Sequence, residues 1–343
     1  MERKTRIAIN GFGRIGRAFF KVARQRPELE VVAINDLGDI KNFAYLLKYD
    51  SAYGHSGIEV SVKDDHTFVA DGREIRFFSE RDPAKLPWGE FGVDIVVESS
   101  GFFTKYETAR AHLEAGAKRV VITAPAKDEP PSDLAGATVL MGVNEGLLPQ
   151  CIISSNASCT TNAASPLIAI LHEKLGIEKA VLNTVHGYTA SQSLVDGPSK
   201  KDFREGRAAA HNIVPSSTGA AIAVTKAFPA LVGKFDGISL RVPVLTGSMV
   251  DVTFIAKRNT SAEEVNRILT AAAHESRWKE IFSVTTEPLV SSDIVGMHYA
   301  SLADLSFTRV VGGNLVKVLA WYDNEMGYTH TLIQHVIKIA NSL

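Results

Sequence analysis

The chemistry-bearing residues of this chain concentrate in Ser154-Ser155-Asn156-Ala157-Ser158-Cys159-Thr160-Thr161-Asn162. A cysteine thiolate is a strong nucleophile and can carry an acyl group covalently. Cys159 follows an apolar run, Cys151-Ile152-Ile153, and precedes an alanine-rich apolar segment from Ala163 to Leu175. Leu167, Ile168 and Leu171 recur at three- and four-residue spacing, which predicts a helix that Gly176 ends. Cys159 is therefore expected on or just before the first helical turn, where unpaired N–H groups and the positive end of the helix dipole converge. That setting is expected to lower the thiol pKa and to stabilise an oxyanion formed beside it. The competing reading is a small buried cysteine between Ser and Thr capping residues.

A second constellation lies at the start of the chain. Arg6-Ile7-Ala8-Ile9-Asn10 predicts a short strand, and Gly11-Phe12-Gly13-Arg14-Ile15-Gly16 follows at once. A helical stretch runs to about Arg26 and Pro27 ends it; Val31-Val32-Ala33-Ile34-Asn35 is a second strand, closed by Asp36. Gly11 permits a tight turn, Gly13 lets the backbone approach a pyrophosphate, and Gly16 lets the helix pack on the strand. The pyrophosphate would sit on the helix N-terminus. Asp36 is placed to accept hydrogen bonds from a ribose and to repel a 2′-phosphate, which favours NAD over NADP.

These residues need elements to hold them. A helix is expected over Asp39 to Lys48, a hairpin around Asp71-Gly72, and strands at Asp94–Glu98, Arg119–Ile122 and Thr138–Leu140, with a helix from Tyr106 to Ala115 between the first two. Strands alternating with helices imply a parallel, doubly wound sheet. Ser99-Ser100-Gly101 and Thr123-Ala124-Pro125 follow strand ends, where ligands collect in such sheets. Past Cys159 the pattern becomes antiparallel β, so a domain boundary is expected there. Ala180 to Val185 is a strand that delivers His186. Gly187 to His211 is a long aperiodic segment, expected to be functional or an interface, with Lys200 and Lys201 solvated. Pro215-Ser216-Ser217-Thr218-Gly219-Ala220-Ala221 is read as a helix start, either a second anion site or ordinary capping. Arg241 lies in an apolar stretch and needs a partner, an anionic ligand being one option. Ser261-Ala262-Glu263-Glu264 reads as a capping box, and a helix from about Tyr328 to Ala340 ends the chain.

Bulk properties narrow the function classes. With 343 residues the chain has room for two domains. A net charge of −1 and no basic stripe with interleaved aromatics give no field for nucleic acid or a membrane surface. No apolar run approaches a membrane span, and the first residues carry no signal-peptide core, so a reducing cytoplasm is expected. The two cysteines, Cys151 and Cys159, are not in a C-x-x-C arrangement, and the histidines are scattered, so neither a disulfide framework nor a metal site is expected.

Taken together, the motifs resemble those of the phosphorylating glyceraldehyde-3-phosphate dehydrogenases almost end to end. The similarity covers Ile9 to Arg17, Asn35-Asp36-Leu37, Ser155 to Asn162, Val185 to Thr189, Arg207-Ala208-Ala209, Pro215 to Ala221, Arg241-Val242-Pro243 and Trp321 to Glu325. The resemblance implies a Rossmann-type NAD-binding domain (residues 1–158 with 324–343) whose C-terminal helix packs back. It implies an α+β catalytic and oligomerisation domain (159–323) with a mostly antiparallel sheet and an S-shaped 187–211 loop at a subunit interface. Cys159 matches the nucleophile and His186 the base. Ser158, Thr160, Thr189, Thr218, Gly219 and Arg241 match residues that hold substrate phosphate or inorganic phosphate. Gly11, Gly13 and Gly16 carry the glycine pattern, and Arg14, Ile15, Asp36, Arg81, Thr123 and Asn324 match cofactor contacts. The implied reaction runs through a hemithioacetal and a thioester on Cys159, with glyceraldehyde 3-phosphate, NAD and inorganic phosphate as reactants in glycolysis or gluconeogenesis, in a homotetramer.

Some positions depart from the family pattern. Ala163 stands where a second cysteine is common, Met326 where tryptophan is usual, Gly187 where Ala or Ser is commoner, and Glu205 where one variant has arginine. Two other readings use the same residues: a sister dehydrogenase acting on erythrose 4-phosphate, and a non-catalytic cofactor-sensing protein, which would have no need of both Cys159 and His186.

Overall fold

A computed structural model describes residues 3–199 and 202–343; Lys200 and Lys201 lie outside the described residues. The chain divides into two compact units, one of residues 1–139, 144–157 and 329–343, the other of residues 140–143 and 158–328.

The first unit is built on a nine-stranded sheet. Its order is Gly136–Thr138, Ile153–Ser155, Arg119–Ile122, Ile95–Glu98, Thr5–Asn10, Leu29–Asn35, Arg73–Phe78, Thr67–Ala70 and Val60–Asp64. All neighbours are parallel except the last two pairings, which are antiparallel hairpins turned at Asp71-Gly72 and at Asp65-His66. Ile95–Glu98 is buried throughout, as a strand covered on both faces must be. The chain moves from Thr5–Asn10 to Leu29–Asn35 on one side and later fills Ile95–Glu98 on the other, so the strand order reverses beside Gly11. Crevices that take ligands form at such a reversal. Helix Arg14–Ala23 buries Phe19, Phe20, Val22 and Ala23. Phe12 meets Phe20, Phe43 and Phe68 edge to face, with centroids 5.9, 5.8 and 6.0 Å away, pairings that add about 0.5–1.5 kcal/mol each beyond area burial. In the C-terminal helix, buried His335 bonds Ser154 at 2.7 Å and Asn156 at 3.1 Å.

The second unit has a seven-stranded, mostly antiparallel sheet, in the order Val214–Ser217, Phe235–Val242, Ile177–Gly187, Ser248–Ala256, Leu315–Tyr322, Ser301–Val311 and Phe282–Thr285. Ser248–Ala256 alternates buried and half-buried residues, the period-two signature of a strand with one face on the core. That core includes helix Cys159–Leu175, whose Leu167, Ile168 and Leu171 are fully buried.

Some elements differ locally from those expected. Tyr106–Ala109 and Ala111–Glu114 are separate helical turns, although Arg110 between them keeps helical dihedrals. The strand expected at Thr138–Leu140 ends at Thr138. Val214–Ser217 is a sheet-edge strand rather than a helix start, paired with Ile238 to Arg241, and an edge tolerates Pro215. The helix begins only at Ala220. Ser261 caps Glu264 N–H at 3.2 Å, but the Glu264 carboxylate turns to Arg258 and Thr260 instead of closing the box.

Candidate active site

Cys159 is the first residue of its helix, as its spacing predicts. Ser158 is the N-cap, and its Oγ accepts from Thr161 N–H at 3.1 Å. Ala157 before it lies in the left-handed region at φ 54°, a strained conformation for a residue with a Cβ. His186, the next-to-last residue of strand Ile177–Gly187, is buried, with Nε2 3.4 Å from Cys159 Sγ. The parallel register sets His186 opposite Arg241. Arg241 Nη1 is 2.6 Å from His186 Nδ1, and Gly187 O is also 2.6 Å from Nδ1. One ring nitrogen cannot serve both: a protonated Nδ1 donates to the carbonyl, a bare Nδ1 accepts from the guanidinium. Arg241 thus has its partner within the chain. Beneath Cys159, Thr160 Oγ1 lies 2.9 Å from Tyr322 Oη, which lies 2.8 Å from Thr184 Oγ1. The Tyr322 ring sits edge-on to His186, centroids 6.0 Å apart.

The electrostatics correct one expectation. Burial pushes the Cys159 thiol up; the Arg241 charge, the Thr160 hydroxyl and the backbone amides of Thr160 and Cys159 pull down without overcoming it. The helix start therefore moderates the thiol pKa and does not bring it below its ordinary value. His186 is pushed down to about 3, first by burial and then by Arg241, against the Gly187 carbonyl. Both shifts favour the neutral thiol and imidazole over a thiolate–imidazolium pair. Burial and the neighbouring Cys159 likewise raise Tyr322, which keeps its proton.

The other candidates in this unit take their own places. Thr218 Oγ1 accepts from Ala220 N–H at 3.2 Å, and Gly219 is an N-cap without a side-chain bond. Thr189 Oγ1 is 3.0 Å from Ser191 Oγ. The Ser158 hydroxyl also meets Thr161 Oγ1 at 2.7 Å, so it serves the helix cap. Asn324 Oδ1 accepts from Ser248 Oγ at 2.9 Å and Gly247 N–H at 3.2 Å, which fixes the orientation of its amide. Glu205 takes the Ser216 hydroxyl at 3.1 Å. A Cβ at Gly187 would come within 2.9 Å of the Val244 carbonyl, so this glycine fits its own surroundings more closely than Ala or Ser would. The sequence reading missed Tyr322 and Thr184 as supports. Their signal was polar residues on core-facing positions of apolar strands.

The glycine loop belongs to the other unit. Gly11 has φ 95°, and a Cβ there would lie 2.4 Å from Ser100 N; a Cβ at Gly16 would lie 2.1 Å from Gly11 O. At Gly13 nothing lies within 4 Å of a Cβ position, and this N-cap receives no side-chain bond. Asp36 accepts from Phe12 N–H at 2.7 Å and Gly38 N–H at 3.1 Å. Arg14 meets Asp50 at 3.2 Å, Ile15 is half-buried, Arg81 is exposed, and Thr123 N–H donates to Glu98 O at 3.0 Å. An open space over Gly13, an uncapped helix start and an anchored carboxylate at the next strand end suit a dinucleotide. Among the described residues, no group of three or more His, Cys, Asp or Glu is arranged for a metal ion, and no helix is long and apolar enough to cross a membrane.

A dinucleotide-type sheet in one unit and a helix-borne thiol facing an imidazole in the other define a class: nicotinamide-dependent dehydrogenases that work through a covalent thiol. Residues 5–106 match the model of the glyceraldehyde 3-phosphate dehydrogenase NAD binding domain, and residues 158–324 that of the C-terminal domain. The chain is 49% identical to a glyceraldehyde-3-phosphate dehydrogenase of Clostridium pasteurianum over 98% of this chain and 99% of that one. It is 48% identical to the Geobacillus stearothermophilus enzyme over 98% of each, and 46% identical to the Streptomyces coelicolor one over 98% and 99%. The chain belongs to the glyceraldehyde-3-phosphate dehydrogenase family.

Proposed function

We propose that the protein oxidises D-glyceraldehyde 3-phosphate with NAD and inorganic phosphate to 1,3-bisphosphoglycerate, through a thioester on Cys159. The observation that carries this reading is the 3.4 Å approach of Cys159 Sγ to His186 Nε2 at a helix N-terminus. His186 Nε2 is placed to take the thiol proton as the C–S bond forms. In the tautomer this requires, Nδ1–H donates to Gly187 O and the Nε2 lone pair faces sulfur. A substrate phosphate that draws Arg241 off Nδ1 leaves the ring in that state. The helix start steadies the oxyanion of the hemithioacetal. Protonated His186 returns the thiol proton to the oxyanion to give the hydroxyl, and the neutral ring then takes the hydroxyl proton back as hydride leaves. NAD, when bound, supplies the hydride acceptor for that oxidation. The thioester keeps its acyl-transfer energy until inorganic phosphate attacks the carbonyl and the Cys159 thiolate leaves.

The remaining roles are those the family resemblance implies. Arg241, Thr189, Thr218 and Gly219, with Ser158 and Thr160 at the cysteine turn, serve the two phosphates. Gly11, Gly13, Gly16, Arg14, Ile15 and Asp36 hold the adenosine and pyrophosphate part of NAD, with Arg81, Thr123 and Asn324 as further contacts. Asp36 favours NAD over NADP, and Asp36→Gly should raise NADP use, read as the ratio of kcat/KM for the two cofactors.

The deciding test is absorbance at the reduced-nicotinamide band with the triose phosphate and NAD, with and without phosphate. Sustained turnover only with phosphate is expected, and a burst equal to enzyme without it. Preferential turnover of erythrose 4-phosphate would replace the substrate; no signal from folded, reduced protein would leave the sensor reading.

A homotetramer is supported by the outer face of the second sheet. Val181 and Ile238 are exposed there, and Asn183 Oδ1 and Asp251 Oδ1 are buried without partners. In-register pairing puts Asn183 beside both Ile238 and Asp251. Leu194, Val195 and Phe203 are exposed on the 187–211 segment. Light scattering should give four times 37.1 kDa, and Val181→Glu with Ile238→Glu should lower it. Two free thiols suit a reducing cytoplasm.

A further inference from the structure

Glu98 is 2% exposed, and the proposed reaction does not use it. Asn10, Asn35 and Glu98 are the last residues of three neighbouring parallel strands, and Asn10 is in direct register with both of the others. Partners in register share a face, so the three side chains form one row. Asn35 Nδ2 donates to Asn10 Oδ1 at 2.7 Å, and Asn10 Nδ2 donates to Glu98 Oε2. Trp88 Nε1–H donates to His112 Nδ1 at 3.0 Å, which assigns the ring proton to Nε2. That N–H donates to Glu98 Oε2 at 2.9 Å. The other carboxylate oxygen accepts from Ser100 N–H at 2.9 Å and from the Ser100 hydroxyl. Every partner of Glu98 is a donor, so the row is organised around one buried anion. At its far end Asn35 holds Glu80 twice, accepting from its N–H at 2.8 Å and donating to its carbonyl at 2.9 Å. His112 and Trp88 are fully buried behind the row.

The row therefore joins the loops after four strands: Gly11-Phe12, Asp36, Glu80-Arg81 and Ser99-Ser100. The contact is close, since a Cβ on Gly11 would strike the Ser100 backbone at 2.4 Å. We infer that Glu98 and His112 are positioning residues for NAD: the buried carboxylate, oriented by Trp88 through His112, sets the spacing of the loops that bear Gly11, Asp36 and Arg81. This rests on the reading of those three residues as cofactor contacts. A row that merely stabilised the sheet would have no reason to end on loops at the ligand crest. Its links reach Ser100 and Glu80, both beyond the strand ends, and both carry backbone held by side chains.

Glu98→Gln tests it, because a carboxamide has one acceptor oxygen and one donor nitrogen. With its oxygen on Asn10 and His112, its NH2 confronts the Ser100 N–H and that link breaks. The intact enzyme is titrated with NAD by calorimetry, its thermal midpoint is read without NAD, and kcat is separated from both KM values. The Kd and KM for NAD should rise on the order of tenfold to a hundredfold, the loss of a charge-assisted bond. The kcat at saturating NAD and the KM for the triose phosphate should stay at wild-type values. Ser100→Ala, which removes one donor from the half-buried loop, should raise the NAD Kd less and in the same direction, and it decides the matter if Glu98→Gln does not fold. An unchanged NAD Kd in the folded variants, with or without a lower thermal midpoint, would overturn the positioning role. Failure of the wild-type protein to bind NAD would instead overturn the cofactor reading on which it rests.

Discussion

Two helix starts in this protein are built in opposite ways. At Arg14–Ala23 the N-cap is Gly13, exposed, without a side-chain bond and with nothing within 4 Å of a Cβ position. At Cys159–Leu175 the N-cap is Ser158, bonded back to Thr161, and the first turn carries Cys159 and Thr160 against His186, Arg241 and Tyr322. The first start is made by leaving side chains out, so that a large ligand can meet the backbone. The second is made by crowding polar side chains in, so that one sulfur is surrounded by groups that move protons and hold charge. A cradle for a cofactor asks for space; a reacting atom asks for neighbours.

The contrast can be broken at its crowded end with the largest effect. Cys159→Ser should lower kcat by on the order of 10^4–10^6-fold, and His186→Asn by about 10^2–10^4-fold, in steady-state turnover. Comparable activity in Cys159→Ser would remove the covalent mechanism. At the spacious end, Gly11 and Gly13 should separate. Gly11→Ala meets both positive φ and the Ser100 backbone, and should cost about 3 kcal/mol in urea unfolding. Gly13→Ala should leave the unfolding midpoint alone yet weaken NAD binding by about tenfold or more, because its methyl fills only the ligand's space. Equal effects of the two changes on stability would contradict the division.

The smallest effect tests the frame beneath the cradle. Burial alone would raise the Asp94 carboxyl, but the Arg6 amide, Lys118 and Arg3 outweigh it and hold it below its ordinary value. A lowered native pKa stabilises the fold above the unfolded value, and that stability is lost as pH falls through the native one. Asp94→Asn should therefore cost about 1–2 kcal/mol at neutral pH, since Arg3 and Lys118 are largely exposed and screened. Unfolding curves of the two proteins should converge at acid pH; a constant gap would assign the cost to shape and not to charge.

Much of this was legible in the chain because it is local. The glycine spacing, Asp36 after the second strand and Cys159 at a helix start all follow from periodicity and from turn chemistry within a few residues. Local pattern erred where pairing competed with it. Pro215 to Ser217 look like a helix start, but the edge of the second sheet claims them. The thiol was misjudged for a similar reason. A dipole is a property of one helix, whereas the burial that outweighs it comes from everything packed around Cys159.

What the sequence by itself determined is the identity of most elements and each group's chemical kind, since these depend on neighbours along the chain. The tertiary structure alone decided which groups meet. His186 reaches Cys159 across 27 positions, where a helix start packs against the end of a strand, and Arg241 reaches His186 across 55 through strand register. Glu98, Asn10 and Asn35 share a row because three parallel strands end at one level. Register is set by the packing of whole sheets on their helices, and no window of sequence contains it.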